Sequence, residues 1–280
     1  MKILPKLFMS MKIKNTFLQR FLTVICCSGS LFAQDDTVSG VTSEPLITDR
    51  PDATESPTTI APGFIQVETG GFYESFEDNN IKSESFTYNT TLVRLGLLNN
   101  LELRIGWDFV EGRTTINGNK LDDVTSGFNP LLFGTKISIS DEKGWMPEIG
   151  FLGHLYLPFT ASQDYRPETT GVDFRFAFAH TLSEKSSIGY NIGAQWIDGS
   201  PEAAYIYTLS YGYSVTNKIG AYIELYGDFP EDNKANHLWN SGLTYLLSNN
   251  VQLDATVGSG ITEGQDILLS AGLSFKLPTK

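Results

Sequence analysis

From residue 63 onward the chain alternates apolar and polar residues with a period of two, which is typical of β-strands with one apolar face. In the last part of the chain, Val251, Leu253 and Val257 fall on one face, and Gln252 and Asp254 fall on the other. The alternation predicts twelve strands, although ten or fourteen also fit. The predicted strands are 63–75, 84–97, 101–112, 125–139, 146–158, 169–182, 187–197, 203–214, 219–229, 237–247, 251–260 and 266–277.

Short polar turns separate neighbouring strands at one end of the predicted sheet. They contain Asn99-Asn100, Glu184-Lys185, Asn217-Lys218 and Asn249-Asn250. Longer connections are predicted at the opposite end, and short turns that alternate with long loops are typical of an outer-membrane β-barrel. An even number of strands would then bring both ends of the barrel to the periplasmic side.

A secreted soluble β-sandwich alternates in the same way, so alternation alone leaves two fold classes open. The predicted strands are longer than the average globular strand of about five or six residues, and they suit a tilted membrane-spanning strand of about 9–11. Aromatic residues lie near strand ends, where interfacial girdles need them. They are Tyr205, Tyr207, Tyr211, Tyr213, Trp196, Trp239, Tyr245 and Phe275. We therefore expect an all-β, antiparallel, up-and-down transmembrane β-barrel.

Residues 1–33 have the pattern of a secretory signal peptide. Lys12, Lys14 and Arg20 precede an apolar stretch at 21–32 that ends before Ala33. The stretch is too short to cross about 30 Å of hydrocarbon as a helix. Cys26 and Cys27 both lie in it, so the mature chain would contain no disulfide and no thiolate metal site.

Residues 34–62 predict an extended periplasmic segment, because Pro45, Pro51, Pro57 and Pro62 are spaced along it. The segment is too short to form the separately folded plug domain of the large energised receptors. Loss of residues 1–33 would remove five basic and no acidic residues, and would shift the formal charge from −12 to −17. Such an acidic chain disfavours a nucleic-acid partner, since phosphate binding needs a basic surface.

Several segments resemble a bacterial outer-membrane β-barrel family named for the meta-pathway of phenol degradation, whose members are described as transporters. The first is the stretch 48–57, in which the N-terminal signature residues are Asp49, Arg50, Pro51, Asp52, Glu55, Ser56 and Pro57. It is followed by Gly63, Gln66, Glu68 and Gly70, and later by the hairpin at 94–104 and the strand at 127–136. The resemblance implies a barrel in the outer membrane of a Gram-negative bacterium.

Charged residues on the polar faces of the strands are candidates for the lumen and for a solute path. They are Arg94, Glu102, Arg104, Asp108, Lys136, Glu148, His154, Asp173, Arg175, Glu224 and Asp254. Charges of both signs can pair across a narrow lumen and fill it, or line a route for solutes, and the two roles are compatible. The charged residues among 49–55 suggest either insertion into the periplasmic mouth of the barrel or a disordered leader.

Acidic pairs at 77–78, 122–123 and 231–232 are predicted in outer loops, either as solvated loops or as sites for divalent cations near lipopolysaccharide. The three histidines lack metal-binding spacing, and Ser183 near His180 suits a turn better than a nucleophile. No loop that could cradle a phosphate is present, so we expect no cofactor, no metal, no ATP-driven step and no enzyme activity.

The expected function is a passive outer-membrane channel for small, hydrophobic or aromatic solutes. The alternative is a non-transporting barrel that supports the envelope or binds a partner. Expected partners are outer-membrane lipid and lipopolysaccharide, a small-molecule solute and the barrel-assembly machinery.

Overall fold

The computed structural model describes residues 45–197, 201–262 and 264–279. The predicted signal peptide at 1–33, with Cys26 and Cys27, lies outside these residues, as do residues 34–44 of the predicted periplasmic segment. No helix within the described ranges is long and apolar enough to cross a membrane.

The described chain forms a closed antiparallel β-barrel. Its strands are β1 (Phe64–Asp78), β2 (Ile81–Leu98), β3 (Leu101–Ile116), β4 (Asn119–Phe128), β5 (Leu131–Ser140), β6 (Glu148–Leu157), β7 (Gly171–Ser183), β8 (Ser186–Trp196), β9 (Ala204–Ser214), β10 (Ile219–Pro230), β11 (Asn236–Ser248), β12 (Val251–Gly260) and β13 (Gln265–Pro278). Strands that follow one another in sequence pair, except that β4 and β5 both pair with β3, and β1 closes the barrel against β13 from Phe64↔Pro278 onward. The predicted fold class is confirmed.

Strands β4 and β5 occupy one position in the barrel, so the wall has twelve positions as predicted. Both pair with β3: β4 with its second half and β5 with its first half. The predicted continuous strand 125–139 is therefore wrong at one point, because Asn129-Pro130 interrupts it. Pro130 has no N–H to donate to the ladder, which explains a break there.

The barrel is apolar outside and polar inside. Along β12, for example, Leu253 and Val257 are 41% and 46% exposed, whereas Asp254 is 6% exposed. A soluble sandwich would bury the apolar face and expose the polar face. The observed inversion suits a wall surrounded by lipid and removes the ambiguity that alternation left open.

We call the end of the barrel that carries the turns 99–100, 184–185 and 249–250 the inner end, and the opposite end the outer end. Both termini of the barrel wall, Phe64 and Pro278, lie at the inner end. The outer connections are 79–80, 117–118, 158–170, 231–235, and those that join β8 to β9 and β12 to β13.

The first two outer connections are not long loops, which corrects the prediction. Asn79-Asn80 and Asn117-Gly118 are two-residue turns, and all four residues have positive φ values between 49° and 77°. Such turns match the twist of a hairpin, so the strands continue to the tip. The acidic pairs 77–78 and 122–123 consequently lie in β1 and β4 instead of in loops, while 231–232 lie in the β10–β11 connection.

The outer loop 158–170 covers the free edge of the wall near the break. It contains two short 3₁₀ turns, Pro158–Thr160 and Gln163–Tyr165. The Ser162 hydroxyl accepts a hydrogen bond from the Phe128 N–H at 2.9 Å, and the Thr160 hydroxyl accepts one from the Leu131 N–H at 2.8 Å. These contacts satisfy backbone donors on both sides of the interruption.

Candidate functional site

The segment 45–62, which we call the plug, lies inside the inner half of the barrel. It begins beside the β11–β12 turn, where the Leu46 N–H donates to the Asn249 carbonyl at 2.8 Å. It ends beside the β2–β3 turn, where the Thr59 hydroxyl donates to the Asn99 carbonyl at 3.3 Å. Between these points its side chains contact the wall on all sides. Of the two interpretations of the charged segment, insertion into the barrel is the one that the structure shows.

Asp49 is the centre of the contacts between the plug and the wall. Its carboxylate lies 3.1 Å from Arg94 Nη1, 2.7 Å from Arg104 Nη1 and 2.8 Å from Lys136 Nζ. These cations come from β2, β3 and β5. Burial raises the pKa of Asp49, but the three positive charges outweigh it and hold the pKa well below its usual range. Asp49 is therefore an ionised anchor.

Two wall carboxylates complete this cluster. Arg94 Nε donates to Glu102 Oε1, and Arg94 Nη1 donates to Glu68 Oε1, both at 2.9 Å. Glu68 Oε2 also accepts the backbone N–H groups of Asp49 and Arg50, at 3.0 and 2.9 Å. Three cations thus meet several carboxylates in a buried network that includes plug backbone.

Arg50 binds the opposite part of the wall. Its Nη2 donates to Asp254 Oδ1 at 2.9 Å and to Ser270 Oγ at 3.0 Å. Gly70 and Gly272 leave room for the guanidinium, since a Cβ on either would overlap it. The close approach explains why these two inward positions carry no side chain.

A second carboxylate group holds the next turn of the plug. Glu224 accepts hydrogen bonds from the Ala53 N–H at 2.9 Å, from the Thr54 hydroxyl and from Asn240 Nδ2 at 2.6 Å. Asp52 lies beside it, and burial together with the Glu224 charge raises the pKa of Asp52 well above its usual range. Asp52 therefore differs from Asp49, since its environment favours the protonated form.

Glu55 reaches across the lumen. Its N–H donates to Asn191 Oδ1 on β8 at 2.7 Å, and Asn191 Nδ2 returns a hydrogen bond to the Glu55 carbonyl at 2.9 Å. Its carboxylate accepts two hydrogen bonds from Arg104 Nη2 on β3, at 3.0 and 2.9 Å. Lys136 Nζ is 3.5 Å away.

The structure brings most of the predicted lumen residues against the plug. Arg94, Arg104, Lys136, Glu148, Arg175, Glu224 and Asp254 bind it through side chains or backbone, and Glu102 accepts the Ile60 N–H. His154 and Asp173 instead pair with each other at 2.7 Å, and Asp108 lies farther out.

Among the signature residues, Ser56 and Pro57 support the plug locally. The Ser56 N–H donates to Asp49 Oδ1 at 3.0 Å, and Pro57 lies so close to Gly150 that a Cβ there would overlap it. Sequence reasoning missed Gln66 and Glu68 as lumen residues. Both lie on the polar face of β1, so the alternation used for the other strands would have found them.

Two cavities lie on either side of the plug. The outer cavity has a volume of about 680 Å³ and is lined by Leu92, Leu132, Tyr156, Asp108, Arg104 and the loop residues 164–167, among others. The inner vestibule has a volume of about 450 Å³ and is lined by the plug and by small residues at the inner ends of β7–β11. Glu55 is the described residue that lines both.

Within the described ranges, no group of three or more His, Cys, Asp or Glu side chains is arranged to hold a metal ion. The site consists of buried ion pairs next to a partly apolar cavity.

The fold is similar to that of an outer membrane channel of the COG4313 group from Pseudomonas putida F1, with a TM-score of 0.59 and 15% sequence identity, over 86% of this chain and 100% of that one. It is also similar to the KdgM porin in complex with disordered oligogalacturonate, with a TM-score of 0.50 and 10% identity, over 75% and 98% of the two chains. A comparison with curated proteins gave no match.

The closed barrel is similar to those of Gram-negative outer-membrane channels and porins. The sequence pattern of the family described as "Putative MetA-pathway of phenol degradation" matches residues 48–277, from the plug to the last strand. The chain belongs to this family.

Proposed function

We propose that the protein is a passive outer-membrane channel for small apolar or aromatic solutes. The observation that carries the proposal is the outer cavity. Leu92, Leu132, Pro130, Ile197 and Tyr156 give it an apolar lining inside a lumen that is otherwise polar. Pockets for small ligands commonly combine such a lining with a few polar groups. The P. putida F1 structure with the same fold is described as a channel.

The proposal includes no catalytic step. Ser183 Oγ lies 2.7 Å from Ser186 Oγ in the β7–β8 turn, and His180 lies 4.0 Å from Glu142. Neither arrangement resembles a nucleophile activated by a base. Lipopolysaccharide, outer-membrane lipid and the barrel-assembly machinery are further proposed partners, as the location requires.

Filling the outer cavity tests the proposal. Leu132 points into the cavity, and Phe133 beside it is 43% exposed on the outer face of the wall. We expect Leu132→Trp to lower toluene uptake by cells that carry the variant as their only copy, by about tenfold, because the indole occupies the cavity. Phe133→Trp adds an indole to the same strand and should leave uptake unchanged.

The closed plug is the observation that favours the alternative, a barrel that supports the envelope or binds a partner. That function predicts equal toluene uptake with and without the gene, together with altered resistance to detergent. Equal uptake by the Leu132→Trp variant and the wild type would also contradict a route through the outer cavity.

A further inference from the structure

Glu55 is the boundary between the two cavities. Its backbone is held on β8 by Asn191, and its carboxylate is bound on β3 by Arg104. These strands lie on separate parts of the wall, so the side chain crosses the lumen. A solute that moves from the outer cavity to the inner vestibule has to separate Glu55 from Arg104 or pass beside this pair.

Arg104 lines the outer cavity although its side chain is only 1% exposed. Asp49, Glu102 and Glu55 bind its Nη atoms, while its buried Nε has no hydrogen-bond partner among the described residues. A guanidinium carries five donors and binds carboxylates well. One donor is therefore still available on a residue that already binds carboxylates.

The three carboxylates on Arg104 differ in their access to solvent. The side chain of Glu55 is 17% exposed, whereas those of Asp49 and Glu102 are 3% and 0% exposed. Glu55 is also the one of the three that faces both cavities. It is thus the carboxylate that an entering solute can replace.

We propose that the outer cavity binds small apolar carboxylates, whose acid group takes the place of Glu55 on Arg104. This inference rests on the proposed channel function and specifies its substrate class. The apolar part of the solute lies against Leu92, Leu132 and Tyr156, which line the same cavity. The released Glu55 carboxylate turns to the serine-rich inner vestibule, where water solvates it, and the two cavities become continuous.

The exchange favours an anionic solute over a neutral one for a simple reason. A solute carboxylate replaces one negative charge with another, so Arg104 keeps its ion pair. A neutral solute of the same size would leave a buried guanidinium without that partner, which is unfavourable. Asp108 and Asp164 also line the cavity, but Asp164 accepts the Ser126 N–H, and Arg166 contributes a positive charge to the same lining.

Titration calorimetry on the detergent-solubilised full chain tests the proposal with benzoate and benzyl alcohol at pH 7.5, where benzoate is ionised. The wild type should bind benzoate more tightly than benzyl alcohol, by about tenfold. Glu55→Gln removes the competing charge, so benzoate affinity should rise by a further factor of about ten, while benzyl alcohol affinity should stay within about twofold. Heat-modifiable migration in gels verifies that the variant is folded.

Glu168→Gln is the matched control, because it makes the same substitution on an exposed side chain of the outer loop 158–170 that does not line the outer cavity. It should leave both affinities unchanged. Equal binding of benzoate and benzyl alcohol by the wild type would overturn the inference and needs no variant.

The outcomes separate this inference from the proposed function. Toluene uptake without a preference for benzoate would overturn the carboxylate site and leave the channel. A preference for benzoate in a protein that gives no uptake would overturn the channel and leave the binding site.

Discussion

The inner half of the lumen is filled and charged, whereas the outer half is partly open and partly apolar. In the inner half, plug residues such as Asp49 and Arg50 form ion pairs with the wall at 2.7–3.1 Å. In the outer half, the wall is interrupted at Asn129-Pro130, and a loop held by hydrogen bonds covers the gap around a cavity of about 680 Å³.

The difference indicates that the two halves of the barrel have different functions. Removal of one partner of a buried ion pair is strongly destabilising, so these pairs fix the plug in one position. Single hydrogen bonds from a loop stabilise less, and they allow the cavity wall to adjust. The inner half should therefore control closure and stability, and the outer half should control which solute is accepted.

Removal of the plug should have the largest effect. Deletion of residues 46–60 leaves the wall strands intact and removes the segment that crosses the lumen. We expect the single-channel conductance in planar bilayers to rise by on the order of tenfold, since the lumen of the barrel then sets the size of the path. Replacement of 46–60 by a Gly/Ser segment of equal length should raise conductance less, because the chain remains near the lumen without its contacts. Unchanged conductance in both variants would mean that another part of the chain closes the barrel.

Some features of the fold follow from short stretches of sequence. Period-two alternation predicted the faces of the strands, because lipid and lumen impose opposite polarity on adjacent residues. That contrast is absent in β4, which is exposed at nine of its ten positions, so its first half had no pattern to detect. Asn117-Gly118 is a strong hairpin signal that would have predicted the turn.

The candidate site was predictable in part. Inward charges such as Arg94 and Arg104 follow from alternation, and the charge density around Asp49 indicated a defined role. The pairing of Asp49 with cations on three strands depends on how the barrel closes, which no local pattern contains. The interruption at Pro130 also follows from one residue, but the alternation on both sides of it predicts a continuous strand.

Two substitutions in the plug should distinguish an ionised carboxyl from a protonated one by their effects on the free energy of unfolding. Asp49→Asn removes the charge that three cations share, and we expect a loss of about 3–5 kcal/mol in the free energy of unfolding. Asp52→Asn replaces a carboxyl whose raised pKa already favours the neutral form, so the loss should stay below about 1 kcal/mol. Urea unfolding in lipid vesicles measures both.

The pH dependence of the free energy of unfolding tests whether Asp52 is protonated and Asp49 is ionised. A carboxyl with a raised pKa contributes stability that is complete below its ordinary value of 3.8 and is lost as the pH rises through its folded pKa. Asp52→Asn should therefore remove part of the loss of stability expected of the wild type as the pH rises above 3.8. Asp49 has the opposite sign: because its pKa is lowered, its contribution to stability is complete above 3.8 and is lost progressively as the pH falls below that value towards the folded pKa. Identical pH profiles for the wild type and Asp52→Asn would contradict a protonated Asp52.

The smallest effect is expected in the outer half. Ser162→Ala removes the hydroxyl that accepts the Phe128 N–H, which should cost about 0.5–1.5 kcal/mol and leave the plug in place. Hydrogen exchange should then accelerate at Phe128 and the adjacent interruption, but not in β10 around Glu224. Ser126→Ala is the matched control, since Ser126 binds Asp164 through its backbone N–H and keeps that contact. If exchange also accelerated around Glu224, the two halves of the lumen would be coupled, and the loop would take part in holding the plug.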